Sequence, residues 1–502
     1  VYLGTRNGNK FNVANELYIS GNTTFFTAGE ITASSITLGK HFTLEADTTL
    51  GTSTAASSIT LDYDFTNENP ISTAGNKLIF NSTIDGGKSF VTTGEGTVTF
   101  NNTVGSTTPL SSIYIAGPVV INTTEIKTSG TQTYENAITL ASDTKLTAKT
   151  VTFDGNVNGE KALAITGDSI FKGTVGYSQP LTSLSVSKTT KIVATAITSN
   201  SNQTYSGAVT VSSEAILKAT GTDSSITFSD SIIGSKKLTV DAKLKFTNTA
   251  ATVSNSEIHF MNTVEGTSTV LTIQNTQAAK FDSNITLKNL ILNSPTILNE
   301  KVEVSTPVEN KNNLTVGNNV VFKLPYTSTG TSAALNAPLG NITFESSLDF
   351  TNTKFNANNG TVTIRPITNP ASNTLPIINV PAENANFYNL KIEYTTSDET
   401  KNTYKTLLIT AGDTLVVKGK LTIKGEKLTT PSTSPEHSKS LILLSTEESS
   451  QWYITAAEHD ISNVEVQNSE NMTQNSAGKY TRLYAVNSID LGKNIRWDFP
   501  GF

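Results

Sequence analysis

The stretch GTVTFNNTVGSTTPLSSIYIAGPVVINTTEIKTSGTQTYENAIT, beginning at Gly96, realigns without a gap on GDSIFKGTVGYSQPLTSLSVSKTTKIVATAITSNSNQTYSGAVT, beginning at Gly167. Phe100 moves to Phe171, Pro109 to Pro180, Gln132 to Gln203 and Tyr134 to Tyr205, each by 71 residues. A period held this long restricts the chain to stacked units, since each unit can bury its apolar side only against its neighbours. The register is clearest over residues 96–210. Weaker echoes extend it: FTLEADTTL from Phe42 against ITLASDTKL from Ile138, and VTFDGNVNG from Val151 against ITFSDSIIG from Ile226.

Within the unit, the phrases LIF, VTF, SIF and ITF end at Phe80, Phe100, Phe171 and Phe228, and each is followed by a small polar residue or Lys. A few alternating residues closed by a polar cluster read as a short strand and its turn. Phe80 to Phe100 is 20 residues and Phe153 to Phe171 is 18, which suggests one coil per interval and three coils per 71 residues. The fold expected is all-β, a right-handed parallel β-helix. Tandem sandwiches share the short strands but not the long register. Coils of roughly 20–24 residues stacked at about 4.8 Å predict a rod on the order of 100–120 Å, with Asn and Thr in hydrogen-bonded ladders outside. The only stretch with a helical look is ITAAEH, Ile454 to His459.

At 502 residues the chain exceeds what one compact core supports, which favours an array. Hydrophobic residues are 36% and charged residues 16%, leaving a neutral surface of hydroxyls and amides; β-branched and aromatic residues recur too often for a disordered chain. The net charge of -6 comes without a basic run, and arginine is confined to Arg6, Arg365, Arg482 and Arg496, so a nucleic acid or an anionic membrane is not the expected partner. There is no cysteine, hence no disulfide, thiolate metal site or thiol nucleophile. No apolar run reaches the roughly 20 residues of a membrane span, and nothing at Val1 reads as a signal segment.

Pro366, Pro370, Pro376 and Pro381 cluster, and Pro431 and Pro435 mark a second break. The division expected is a repeat-built β-helix over 1–375 and a carboxy-terminal β region over 376–502, a continuation and cap that holds both Trp452 and Trp497. The breaks at 366–384 and 427–440 are the loops most suited to contacts, because loops on a rigid scaffold carry binding.

The phrases Val98 to Ile115, Ser169 to Val186, Gln132 to Leu140 and Gln203 to Val211 resemble the strand repeats of filamentous-haemagglutinin-like surface proteins of Gram-negative bacteria. The tail phrases FYNLKI from Phe387, LVVKGKLTI from Leu415, SNVEVQNS from Ser462 and NSIDLGKNIRWDF from Asn487 resemble the closing coils of that class. The resemblance implies a secreted or surface-exposed β-helical adhesin, extracellular, exported through a partner outer-membrane pore, and binding a protein or glycan of host or bacterial surfaces. No secretion domain of the haemagglutinin type is recognisable.

β-Helices also carry polysaccharide hydrolases and lyases, so catalytic groups have to be sought. Glycosidic hydrolysis needs two placed carboxyl groups. Asp62 and Asp64, in LDYDF, are the best pair, since a spacing of two on a strand puts both on one face, with Glu45 and Asp47 able to join from another coil; a solvated strand face is the competing reading. Lyase chemistry wants an acidic cluster beside a base, and Arg6 and Arg365 have no acidic neighbours in sequence. His41, His259, His437 and His459 stand in no metal-ligand spacing, and no Gly-x-Ser-x-Gly elbow precedes a helix. Asn-x-Ser/Thr triplets at Asn22, Asn81 and Asn122 read as ladder residues. The expectation is a non-enzymatic structural and adhesive protein without metal or cofactor; a β-helical carbohydrate-active enzyme and a self-assembling sheath are the alternatives.

Overall fold

A computed structural model describes residues 2–3, 10–21, 23–25, 29–54, 57–273, 279–293, 295–299, 302–317, 319–328, 333–337, 341–351, 354–357, 359–365, 375–381, 385–393, 405–425 and 441–500. Among these there is no helix, and parallel strands stack as a β-solenoid of about 20 turns. The chain divides into two compact units, Val1–Asn248 and Thr249–Phe502.

In the first unit each turn lays three short strands on three faces. Thr131–Tyr134 lies on the first face and Ile138–Leu140 on the second. Thr144–Phe153 then covers the third face with 144–147, turns the corner, and returns to the first face with 150–153. Strands of three residues with a buried–half-buried–buried pattern recur because the centre residue points to solvent and its neighbours point inward. The inward residues stack from turn to turn in columns: Ile115, Tyr134, Phe153, Phe171, Ile192 and Val211 on the first face, and Ile126, Leu146, Ile165, Val186, Tyr205, Phe228 and Phe246 on the third. Rings in these columns lie nearly parallel, Phe153 and Phe171 with centroids 5.2 Å apart and Tyr205 and Phe228 with centroids 5.3 Å apart. The turn-to-turn spacing of a sheet matches the offset stacking distance of aromatic rings, so one geometry satisfies both.

The 71-residue repeat does not close on whole turns. Between 98–100 and 168–171 the chain takes eleven steps from face to face, through 104, 112–115, 119–121, 125–127, 131–134, 138–140, 144–147, 150–153, 157–158 and 162–165. At three steps per turn this is three and two-thirds turns of about 19 residues, not the three turns expected from sequence. Phe100 therefore stacks on Phe80 in the second face, while its equivalent Phe171 stacks on Phe153 in the first. Tyr134 belongs to the first-face column and Tyr205 to the third. The repeated module is the strand with its corner, and the three faces accept it interchangeably because each asks for the same inward-outward alternation.

What the repeat does preserve is the local chemistry of a corner. Gln132 is fully buried; its Nε2 donates to Ile126 O at 3.2 Å and Thr147 O at 3.1 Å, and Tyr134 donates its hydroxyl to Oε1 at 3.1 Å. Gln203 repeats this with Ile197 O at 3.2 Å, Lys218 O at 2.8 Å and the Tyr205 hydroxyl at 2.9 Å, every partner again 71 residues on. Gly105 and Gly176, also repeat partners, take φ of 68° and 65°, and a Cβ there would meet Lys127 O at 2.2 Å and Thr198 O at 2.1 Å. Only glycine fits where the next turn passes so closely.

Outside, the ladders expected from composition are present. Asn101 Nδ2 donates to Asn81 Oδ1 at 2.8 Å, Asn122 Nδ2 to Asn101 Oδ1 at 3.1 Å, and Ser142 Oγ to Asn122 Oδ1 at 2.9 Å. Asn22 lies outside the described residues.

In the second unit one inward column runs through Val264, Ile285, Val304, Phe322, Phe344, Ile364, Ile392, Ile423, Ile461 and Ala485, each paired with the next and all buried. Residue 375 lies within this unit, and the strands Leu348–Asp349 and Ile377–Asn379 on either side of it pair directly. ITAAEH is strand, inside Trp452–Ser462, because the ladder with Thr414–Lys424 satisfies its backbone where an isolated helix of two turns would not hold. Trp452 and Trp497 meet edge to face at 6.4 Å, and their indole N–H groups donate to Gln467 O and Ser469 Oγ.

Candidate functional site

Asp62 and Asp64 do not share a strand. The strand ends at Leu61, and both carboxylates sit exposed in the turn after it. Asp62 accepts from the Tyr18 hydroxyl at 3.1 Å; Asp64 accepts from Ser89 N at 3.0 Å and lies 3.6 Å from Lys88 Nζ. Asp47, which accepts from Lys77 N at 2.7 Å, and Glu45 stand in the turn between Phe42–Leu44 and Thr48–Thr52, at a different corner. The geometry that recommended the pair, two residues apart on one strand face, is absent because the chain turns at Asp62.

The other ionic groups are used between turns. Arg365, without acidic neighbours in sequence, donates to Glu345 Oε1 at 2.6 Å from one turn on; Arg482 pairs with Asp498 and Arg496 with Glu470, while Arg6 lies outside the described residues. His259 Nε2 lies 2.7 Å from Asp282, His41 lies 6.5 Å from the Tyr63 ring, and His437 is outside the described residues. Among the described residues no group of three or more His, Asp or Glu could hold a metal ion.

His459 accepts from Tyr484 N at 3.0 Å through Nε2 and stacks on the Tyr484 ring. Burial holds its pKa below the ordinary 6.5, with Asp460 pulling the other way. Since the folded pKa is depressed, neutral His459 stabilises the fold above the unfolded value, and this is lost as the pH falls through the folded one. The protection factor of the Tyr484 amide against hydrogen exchange is expected to fall as His459 becomes protonated below its ordinary range, and His459→Gln to abolish that fall while keeping an acceptor. A protection factor insensitive to pH would contradict the contact.

Among the described residues, a recess lies elsewhere. In the second unit the strands Tyr326–Ser328, Leu348–Asp349, Ile377–Asn379, Lys405–Ile409, Leu441–Ser445, Val464–Val466 and Ile489–Asp490 follow one another as rungs of one face. At the corner that follows the last rungs lies an open cleft of about 700 Å³, lined among others by Gly412, Glu447, Gln451, Tyr453, Asn468 and Lys493. A second recess of about 410 Å³, lined among others by Asp349, Asn379, Thr410 and Thr446, borders it, since Thr410 and Thr446 immediately precede Ala411 and Glu447 of the first. Together the two adjoining recesses take lining residues from the seven rungs or the corners that follow them, a stretch on the order of 30 Å at about 4.8 Å per step.

The corner is rigid. Asn468 and Lys493 take positive φ, 55° and 58°, and turn the chain sharply. Lys493 Nζ donates to Glu448 O at 2.8 Å, Gln451 Nε2 to Lys493 O at 3.2 Å, and Asn494 Nδ2 to Val466 O at 2.6 Å. Asn468 is 1% exposed; its Nδ2 donates to Glu448 O at 2.9 Å, but its Oδ1 has no partner in the protein. An unsatisfied buried acceptor costs about 1–3 kcal/mol.

Sequence reasoning missed this corner and pointed to 366–384 and 427–440. Those segments lie outside the described residues apart from 375–381, whose strand Ile377–Asn379 supplies Asn379 to the groove. The signal available was the run STEESSQ, 445–451, a polar turn placed directly before a buried Trp. No protein-family model matches the chain, and neither a curated protein nor a solved structure matches it.

Proposed function

We propose that this chain is a structural and adhesive segment of a Gram-negative bacterial surface or secreted protein, a solenoid scaffold that presents recognition surfaces to a protein or glycan of host or bacterial surfaces. The observation that carries the reading is the unbroken stack of paired rungs from Tyr326–Ser328 to Ile489–Asp490, which holds an open polar cleft at its corner: a stiff support for a contact surface. The use of Arg365, Arg482 and Arg496 in ion pairs, and of Asp62 and Asp64 in turn contacts, agrees with a scaffold whose ionic groups hold coils together.

Beads coated with the chain are expected to adhere saturably to at least one of epithelial cells, matrix proteins or bacterial cells. Absence of adhesion to all three would overturn the proposal. In parallel, incubation with a polysaccharide panel is expected to release no reducing ends or unsaturated products. Turnover lost in Asp62→Asn would replace the scaffold by the hydrolase reading, and concentration-dependent filaments without adhesion would replace it by a sheath.

A further inference from the structure

We infer that the corner groove of the second unit binds an uncharged polysaccharide strand; this rests on the adhesive reading and names its ligand class. Three features select the ligand. The two recesses adjoin at Thr410–Ala411 and Thr446–Glu447 and follow the stacking direction past seven rungs, so together they suit a linear polymer better than a compact molecule. Its polar groups include the Gln451 amide and the Ser449 and Thr446 hydroxyls, and its charged groups, Glu447, Asp349 and Lys493, bring no excess of positive charge. Such groups match hydroxyls, whose every oxygen both donates and accepts. Tyr453 faces outward between buried Trp452 and Ile454 and offers the cleft an aromatic side chain.

Other polymers fit less well. A sulfated or phosphorylated chain needs free cations, and the cleft's Lys493 already donates to Glu448 O and is accompanied by Glu447. A peptide adding as a strand needs a free sheet edge. Here Lys405–Ile409 is paired by Ile377–Asn379 on one side and Leu441–Ser445 on the other, and Leu441–Ser445 is paired in turn by Val464–Val466, so the groove is walled by satisfied backbone.

The test titrates the full chain with uncharged hexasaccharides, namely β-1,4-glucan, β-1,3-glucan, α-1,4-glucan and β-1,4-linked N-acetylglucosamine, with heparin hexasaccharide as the anionic control, following fluorescence of Trp452 beneath the cleft and calorimetric heat. At least one neutral hexasaccharide is expected to bind. Ser449→Trp, an exposed position where bulk fills the cleft, is expected to weaken it at least tenfold with an unchanged thermal midpoint, and Tyr177→Ala, in the first unit, to leave it within twofold. No neutral binding, tighter heparin binding, or neutral binding indifferent to Ser449→Trp and to Tyr453→Ala would each overturn the inference. Bead adhesion separates the two levels: adhesion that survives Ser449→Trp, without neutral glycan binding, leaves the adhesive reading standing and removes the groove from it.

Discussion

Replacing Phe153 by alanine is expected to lower the unfolding free energy of the first unit by about 3–5 kcal/mol, the cost of deleting a buried aromatic ring from a packed core. Phe153 is fully buried between Tyr134, at 5.8 Å and 13°, and Phe171, at 5.2 Å and 6°. The column has no slack along its axis, because the backbone ladder sets the spacing of its members and the neighbouring rings cannot slide together to close a gap. Phe153→Leu keeps the column filled and should cost less, about 1.5 kcal/mol. Tyr177, 76% exposed, supplies the control, since Tyr177→Ala should change stability by less than about 0.5 kcal/mol. Guanidinium unfolding followed by circular dichroism reads all three. A loss under about 1 kcal/mol for Phe153→Ala would mean that the rings do not form a packed core.

Gln203→Leu is expected to cost nearly as much, about 3–4 kcal/mol, for a different reason: volume is kept but polar partners are abandoned. Ile197 O and Lys218 O lose a donor and the Tyr205 hydroxyl loses its acceptor, each at roughly 1–3 kcal/mol if left unpaired in the interior. Burial already pushes the Tyr205 phenol far above its usual range, so that hydroxyl stays a donor and cannot escape by ionising. Gln203→Glu gives the sharper test. A carboxyl in this place has its folded pKa raised by burial, so its protonated form fits and its charged form does not. Stability should then be greatest below the unfolded carboxyl pKa and fall as pH rises through the folded value, the reverse of an ordinary paired carboxylate. Gln132 makes the same contacts three and two-thirds turns away, about 18 Å along the stack, so Gln132→Leu should cost the same and add to Gln203→Leu. Equal stability of Gln203→Glu at pH 4 and pH 7 would show that the amide's donors are not needed.

These two experiments also separate what kind of information the repeat carries. The 71-residue period is a period of strand-and-corner modules, eleven in number, and not of turns. Phe100 and Phe171 were legible as equivalent core positions, and both are buried; that they occupy different faces was not. Eleven modules leave two steps beyond three whole turns, and modules whose three faces have the same inward-outward alternation carry no mark of which face they occupy. Ladder residues such as Asn81 and Asn122 were legible because in-register stacking brings like side chains together at fixed coil positions. The placing of Asp62 and Asp64 on one strand failed at a boundary, since LDYDF alternates as a strand does and only the contact with Tyr18 and the cap on Ser89 show a turn.

By itself, then, the sequence determined the strand-and-turn grammar, the inward columns and the parallel solenoid, because each follows from alternation over three to five residues repeated at a short period. Tertiary structure alone decided which corner faces which, and with it the groove: Gly412, Glu447, Asn468 and Lys493 are strangers along the chain and become neighbours only when four turns stack. The reason is physical. A turn takes its hydrogen-bond partners from the turns on either side, so the lengths of all intervening corners must be known before any two surface residues can be placed together.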